Sequence, residues 1–255
     1  MRLFAFVGLG SFAMSMLERI AEITDQIIAV DDNQERIEHI KEMVSTAYTM
    51  NLLDEEAFDR VFHEPVDVAV VDIEEDSSAL LLVTYRLKKL GVPEIIVKSN
   101  SEEYEELLRM AGASRVVNSD KEAASRITPL VLSSSLTNFM PISGDLVLAE
   151  VIVPDFVVGK TVIEGDLRRE HHINVVAVKY ASEMNTEKEN TAVFHDLDAA
   201  YRFNAGDVLL VTGKESDVFA FSGVPKTAER EKKTANFSVL LKSMFNRKKQ
   251  DDTKK

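Results

Sequence analysis

Two glycines set between an apolar run and an apolar-periodic stretch constrain this chain more than any other feature in it. Leu3 to Val7 leads directly into Gly8-Leu9-Gly10-Ser11-Phe12-Ala13, after which apolar residues recur at helical spacing through Met14, Leu17, Ile20 and Ala21. The pattern predicts a strand, a tight turn and a helix. A second apolar run, Ile27 to Val30, ends in Asp31, about twenty residues beyond the glycines, where a Rossmann-type dinucleotide fold places the acid that holds a ribose hydroxyl. Gly8 lets the chain turn sharply off the strand. Gly10 has no side chain to keep a phosphate from the backbone N–H groups at the helix start, where the helix dipole favours negative charge. Ala13 stands in for a third glycine at the close helix–strand contact. The alternative is a Rossmann-shaped domain whose site holds no nucleotide.

The same alternation continues downstream. A helix is expected from Gln34 to Met43 with Ile37, Ile40 and Met43 inward, then a third strand with its exit loop from Ala47 to Leu53. Asp54 reads as the N-cap of a short helix, EEAFDRVF. Val66 to Ile73 is a β-branched buried run, Ser77 to Leu90 a helix stopped by Gly91, and Ile95 to Val97 a short strand. Ser101 is expected to cap an acid-rich helix, and Arg115 to Val117 makes a sixth strand. Strands alternating with helices predict an α/β fold, a Rossmann-type parallel sheet with helices on both faces, over residues 1–135. A helix from about Lys121 to Ser134 leads into SSSLTNFMPISGD, which reads as a linker at 136–145. The rhythm then changes. LVLAEVIVP, VVAVKY, TAVFHDL and DVLLVTG are short strands, with helical stretches near Thr161 to Arg169 and Lys214 to Phe221, so 146–223 reads as a small α+β lobe.

With 45% hydrophobic and 29% charged residues the 255-residue chain has the balance of a soluble protein with ample core. No apolar run approaches the ~20 residues of a membrane span, and the N-terminus reads as a strand, not a signal peptide. The absence of cysteine fits a cytoplasmic location. A net charge of −13 argues against nucleic acid as a partner. Val224 to Lys255 nevertheless carries ten Lys or Arg against four acids, so an acidic body bears a basic tail.

Several segments, in their order and spacing, carry a family resemblance: VGLGSFAMSMLERI, IIAVDDNQERI, MNLLDEEAF, LGVPEIIVKSN, GASRVV, VVGKTVIEGDLRREHHINVVAVKY and FNAGDVLLVTGKESDVFAF. From residue 1 to about 223 the chain resembles the cytoplasmic regulatory subunits of Trk/Ktr-type potassium uptake systems. These are built from an RCK (regulator of potassium conductance) Rossmann lobe and a small C-terminal lobe. The resemblance implies an adenine nucleotide, ATP, ADP, AMP or NAD, bound as a switch and not as a substrate. Gly8, Gly10, Ser11, Phe12 and Ala13 would lie at the phosphates, Asp31 at the ribose, and Asn33, Asn51 and Leu52 around the sugar and adenine, with Lys98 near the phosphates. It also implies a divalent cation at Asp120, whose other reading is the N-cap of the helix beginning at Lys121. In the second lobe it implies cyclic di-AMP held by Leu167, Arg168, Asn174 and Val175, although Arg168 and Arg169 also read as a solvated helix end. The implied partners are a membrane ion-translocating subunit and further copies of the chain, as dimers within an octameric ring. Two departures bear on the ligand. Ser11 stands where potassium-uptake relatives have an arginine that reaches a γ-phosphate. Ile73, Glu74, Glu75 and Asp76 stand where a small glycine is common, and acids beside a triphosphate repel it unless a cation intervenes.

Catalytic groups are sparse, so binding without turnover is expected. His39 reads as exposed helix face and His63 as loop. His171 and His172 are adjacent, cannot share a metal as residues at i and i+4 do, and read as a helix-to-strand turn. No Ser/His/Asp order or HExxH motif is present. An NAD(P)-dependent oxidoreductase would have to find its substrate site in the small second lobe, and a nucleotide-free partner subunit is the third reading. In the tail, Phe237, Leu240, Leu241, Met244 and Phe245 make one apolar stripe beside Lys242, Arg247, Lys248 and Lys249. This amphipathic helix suits an anionic membrane surface, a groove on a partner, or the acidic body of the chain itself.

Overall fold

The computed structural model describes residues 2–74, 76–184 and 193–224. They form two compact units, Met1–Ala123 and Ala124–Lys255.

The first unit is a six-stranded parallel sheet of β1 (Phe4–Val7), β2 (Ile27–Asp31), β3 (Thr46–Thr49), β4 (Val68–Val71), β5 (Glu94–Lys98) and β6 (Arg115–Val117), in the order β3-β2-β1-β4-β5-β6. Its helices are α1 (Ser11–Ala21), α2 (Gln34–Ile40), α3 (Glu55–Val61), α4 (Ser77–Lys89) and α5 (Glu102–Ala111), and α6 (Ser119–Leu132) begins here. Period-two alternation sorts each central strand between two cores. Phe6, Ile27, Ala29 and Val70 face one way, onto Ala13 and Leu17 of α1 and Ile37 and Ile40 of α2. Ala5, Val7, Ile28, Val30, Ala69 and Val71 face the other, onto Phe58 of α3, Leu80, Val83 and Leu87 of α4, and Leu108 of α5. Fully buried chains such as Phe6, Leu17, Ile27 and Leu87 each contribute about 1.5–3 kcal/mol relative to exposure. The strand order reverses direction between β2 and β4 on either side of β1, and the crevice at their carboxyl ends is where such sheets bind ligands.

Caps set where the helices begin. Asn33, Asp54 and Asp76 each accept from amides in the first turn of α2, α3 and α4. Ser101 precedes α5 without a side-chain cap bond, and that helix start is instead favoured by Glu102, Glu103 and Glu105 in its first turn. Asp120 does not cap α6. The helix begins one residue before it, and Asn118 Oδ1 accepts from the Lys121 amide at 3.0 Å.

The second unit is a five-stranded antiparallel sheet in the order β10-β9-β11-β8-β7. Its strands are β7 (Leu136–Ser143), β8 (Leu146–Ile152), β9 (Ile173–Lys179), β10 (His195–Asp196) and β11 (Val208–Lys214), and its short helices are α7 (Val162–Gly165), α8 (Leu167–Glu170), α9 (Ala181–Met184) and α10 (Glu215–Phe221). Residues 136–143, expected as part of a linker, are therefore a strand. Two register shifts, at Leu136/Asn138 and Pro141/Ser143, break the period-two signal, so Leu136 and Phe139 are buried three residues apart. The edge position tolerates Pro141, whose missing N–H would break a central strand. Among the described residues of TAVFHDL, 193–197, only His195–Asp196 pairs as a strand. The basic tail from residue 225, with its expected amphipathic helix, lies outside the described residues. Among the described residues no helix is long and apolar enough to cross a membrane.

Candidate nucleotide site

Both strands that flank β1 end in the same way, IIAVD in β2 and VAVV followed by Asp72 after β4. The two carboxylates therefore stand on either side of the Gly8–Gly10 turn. A cavity of about 300 Å³ opens there, lined by Gly8, Asp31, Asp32, Arg36, Leu52, Asp72, Ile73 and Glu74.

Gly8 sits at φ +79, and a Cβ there would lie 2.5 Å from the Asp72 carbonyl oxygen, so both conformation and contact demand glycine. Gly10 adopts φ −62 and ψ 173, which any residue can take. Its requirement is purely one of contact, because a Cβ there would run into all three atoms of the Asp72 carboxylate group.

Asp31 is 2% exposed. Its Oδ2 accepts from the Leu9 amide within the glycine turn, its Oδ1 accepts from the Asn33 amide at 2.8 Å, and Arg36 Nη1 lies 3.7 Å from Oδ2. The residue expected to hold a ribose thus also ties the glycine turn to the end of β2. Asn33 Oδ1 accepts from the Glu35 and Arg36 amides, and Asn51 Oδ1 from the Leu53 amide, so both side chains shape turns at the rim. Leu52 is buried on the cavity wall, and its carbonyl accepts from Arg86 Nη1 at 3.3 Å. Ser11 is exposed at the first position of α1.

Asp72 belongs to the site as well, although no motif in the sequence marks it. It is fully buried, and its Oδ2 accepts from the Phe12 and Ala13 amides at 3.1 and 3.0 Å, which open α1. Lys98 Nζ lies 3.7 Å from Oδ1, an oxygen with no hydrogen-bond partner. Lys98, expected beside a phosphate, thus faces a protein carboxylate. The available signal was the repeated strand ending, an acid directly after a β-branched run on each side of β1. The neighbouring acids do not act as one crowd: Glu74 pairs with Arg36 at 3.1 Å, Asp76 is the cap of α4, and Glu75 lies outside the described residues.

Asp120 lies in the first turn of α6, and among the described residues no group of three or more His, Cys, Asp or Glu is placed to hold a metal ion. In the second unit, Leu167, Arg168, Asn174 and Val175 line one cavity of about 630 Å³. Two left-handed residues, Asp166 at φ 37 and His172 at φ 57, bend the chain around it. Arg168 and Asn174 are exposed, and Ile163 and Leu197 add apolar wall. His171 turns away from metal chemistry, packing its ring 5.0 Å from Phe156 and 5.5 Å from Phe221.

Comparison with known proteins agrees with this architecture. The TrkA-N domain family matches residues 4–119. The chain is 28% identical over 218 residues to Ktr system potassium uptake protein C of Bacillus subtilis (strain 168), covering 86% of this chain and 95% of that one. It is 24% identical over 212 residues to Ktr system potassium uptake protein A of Vibrio alginolyticus, covering 83% and 92%. Among solved structures, the GsuK RCK domain superposes with a TM-score of 0.57 at 16% identity, covering 88% of this chain. The GsuK channel bound to NAD does so with 0.55 at 17%, covering 86%. This chain spans 47% and 38% of those two chains, and the likeness to them is one of fold. The likeness to the TrkA-N domain family thus extends over residues 4–119, and that to the Ktr proteins continues into the second unit.

Proposed function

We propose that this chain is a cytoplasmic regulatory subunit of a Ktr-type potassium uptake system, in which an adenine nucleotide bound between β2 and β4 biases the geometry of an assembly of such chains beneath a membrane ion-translocating subunit. The observation that carries the reading is the cavity at the reversal of strand order, floored by the Gly8–Gly10 turn and walled by Asp31. Similarity to Ktr proteins along nearly their whole length supports it. On this reading the chain acts by binding and not by turnover. A ligand shifts a two-state assembly only through its differential affinity, about 5.5 kcal/mol for 1:99 to 99:1. A ring of several copies divides that requirement among equivalent sites. The cavity around Leu167, Arg168, Asn174 and Val175 is the second regulatory site, where a guanidinium, an amide and apolar wall suit a cyclic dinucleotide such as cyclic di-AMP.

The test is potassium uptake in cells that carry a Ktr membrane subunit but no regulatory subunit, complemented with this chain, together with mass spectrometry of small molecules released from the purified protein. Restored uptake and a co-purifying adenine compound support the reading. A chain that neither restores uptake nor co-precipitates the membrane subunit overturns it.

A further inference from the structure

The start of α1 is where a Rossmann fold receives phosphate, and here it already holds an anion. Two of the amides that open the helix, Phe12 and Ala13, donate to Asp72 Oδ2. The bare Cα of Gly10, which elsewhere gives room for a phosphate, is packed against the same carboxylate. The nearby cations are committed as well: Lys98 Nζ sits 3.7 Å from Asp72 Oδ1, and Arg36 faces Glu74 and Asp31. Asp72 Oδ1 is buried without a hydrogen-bond partner, so this carboxylate is not one knot of a saturated polar network. An incoming phosphate therefore meets occupied donors, a filled cradle and negative charge in a poorly solvated place, where like charges repel strongly.

We propose that Asp72 is the resident anion of the α1 N-terminus, and that it makes this site select adenine ligands in inverse order of phosphate charge: adenosine and AMP over ADP, and ADP over ATP. The inference rests on the adenine reading above and deepens it. Asp72 is thereby a specificity-determining residue. The adenosine half of a ligand is served by Asp31, Leu52 and the cavity between them, and the polyphosphate half is refused. A nucleotide can enter with its charge only if Asp72 leaves the amides, so the exchange of one anion for another would also loosen the link between β4 and α1.

The experiment is isothermal titration of the full chain, stripped of small molecules, with adenosine, AMP, ADP and ATP, each with and without Mg²⁺, for wild type and for Asp72→Asn and Asp72→Ser. Wild type is expected to bind AMP at least about tenfold more tightly than ATP, a difference of about 1.4 kcal/mol. Both variants should tighten ATP by about tenfold or more while moving adenosine by less than about threefold. Wild type alone decides if the variants fail to fold, since ATP binding as tight as AMP, in either metal condition, overturns the proposal. Unchanged ATP affinity in folded variants also overturns it. Should AMP and ATP bind equally, only the selectivity is wrong; should no adenine ligand bind any form, the adenine reading falls and this inference with it.

Discussion

Replacing Gly10 by alanine isolates the contact at the centre of the site. Its backbone angles suit alanine, so the cost comes from the collision with the Asp72 carboxylate. Forcing that group aside strains a packed site by about 1–3 kcal/mol. It also breaks the two hydrogen bonds that the Phe12 and Ala13 amides donate to that carboxylate, at 3.1 and 3.0 Å, of a type contributing about 1.5–3 kcal/mol each when one partner is charged. In an Asp72→Ala background the obstacle is gone, and Gly10→Ala should instead be neutral or gain about 0.4–1 kcal/mol through a less flexible unfolded chain. The double-mutant cycle should therefore show a coupling of about 3 kcal/mol or more between positions that lie 62 residues apart in the chain. Because the chain has two compact units, the readout should be local: hydrogen exchange of the amides in Ser11–Ala21. Gly10→Ala should accelerate their exchange roughly 100-fold or more in the wild-type background and leave it nearly unchanged beside Asp72→Ala. An equal acceleration in both backgrounds would refute the reasoning, since the glycine would then answer to something other than Asp72.

Three further outcomes are expected. Lys98→Met removes the cation beside a buried carboxylate and should destabilise the first unit by about 3 kcal/mol, measured by urea unfolding; Asp72→Asn added to it should restore part of the loss. In the second unit, burial, and then the carboxylate of Asp207, push the Tyr201 phenol well above its ordinary range. The folded state thus keeps a proton that the unfolded chain releases near pH 10. The stabilisation from this shift is whole below that pH and is lost as pH rises above it. Tyr201→Phe should flatten the alkaline fall in melting temperature. Arg168→Ala should weaken cyclic di-AMP binding about tenfold or more in equilibrium dialysis, and leave the adenosine titration unmoved; equal loss of both ligands would contradict separate sites.

The first unit was legible because burial on both faces of a parallel sheet writes unbroken β-branched runs, and because Asn33, Asp54 and Asp76 announce their helices in the residue type itself. Strand β7 was hidden by its two register shifts, which put Leu136 and Phe139 out of step with any regular period. The site was legible as a place and not as a set of contacts. Gly8, Gly10 and Asp31 stand around the expected crevice, but nothing in the spacing of local residues tells that Asp72, about sixty positions away, would fill the space Gly10 leaves open. A glycine next to a helix start reads the same whether it makes room for a phosphate or for a carboxylate of the same chain. Asp120 misled for a similar reason: several polar residues precede α6, and only geometry decides that Asn118 supplies the cap.

One contact in the second unit bears on how that unit carries mechanical load. Ser133 Oγ, just past the end of α6, donates to the Ser222 carbonyl at 2.9 Å, just past the end of α10, across 89 residues of chain. The approach to β7 and the end of α10, the last described helix, are thus held together at one point. Tension applied along the chain at these two ends is met by this buried clasp as well as by the strands inside the loop. The clasp is in that sense wired in parallel with the backbone that runs from β7 to α10 past the cavity at Leu167 and Asn174.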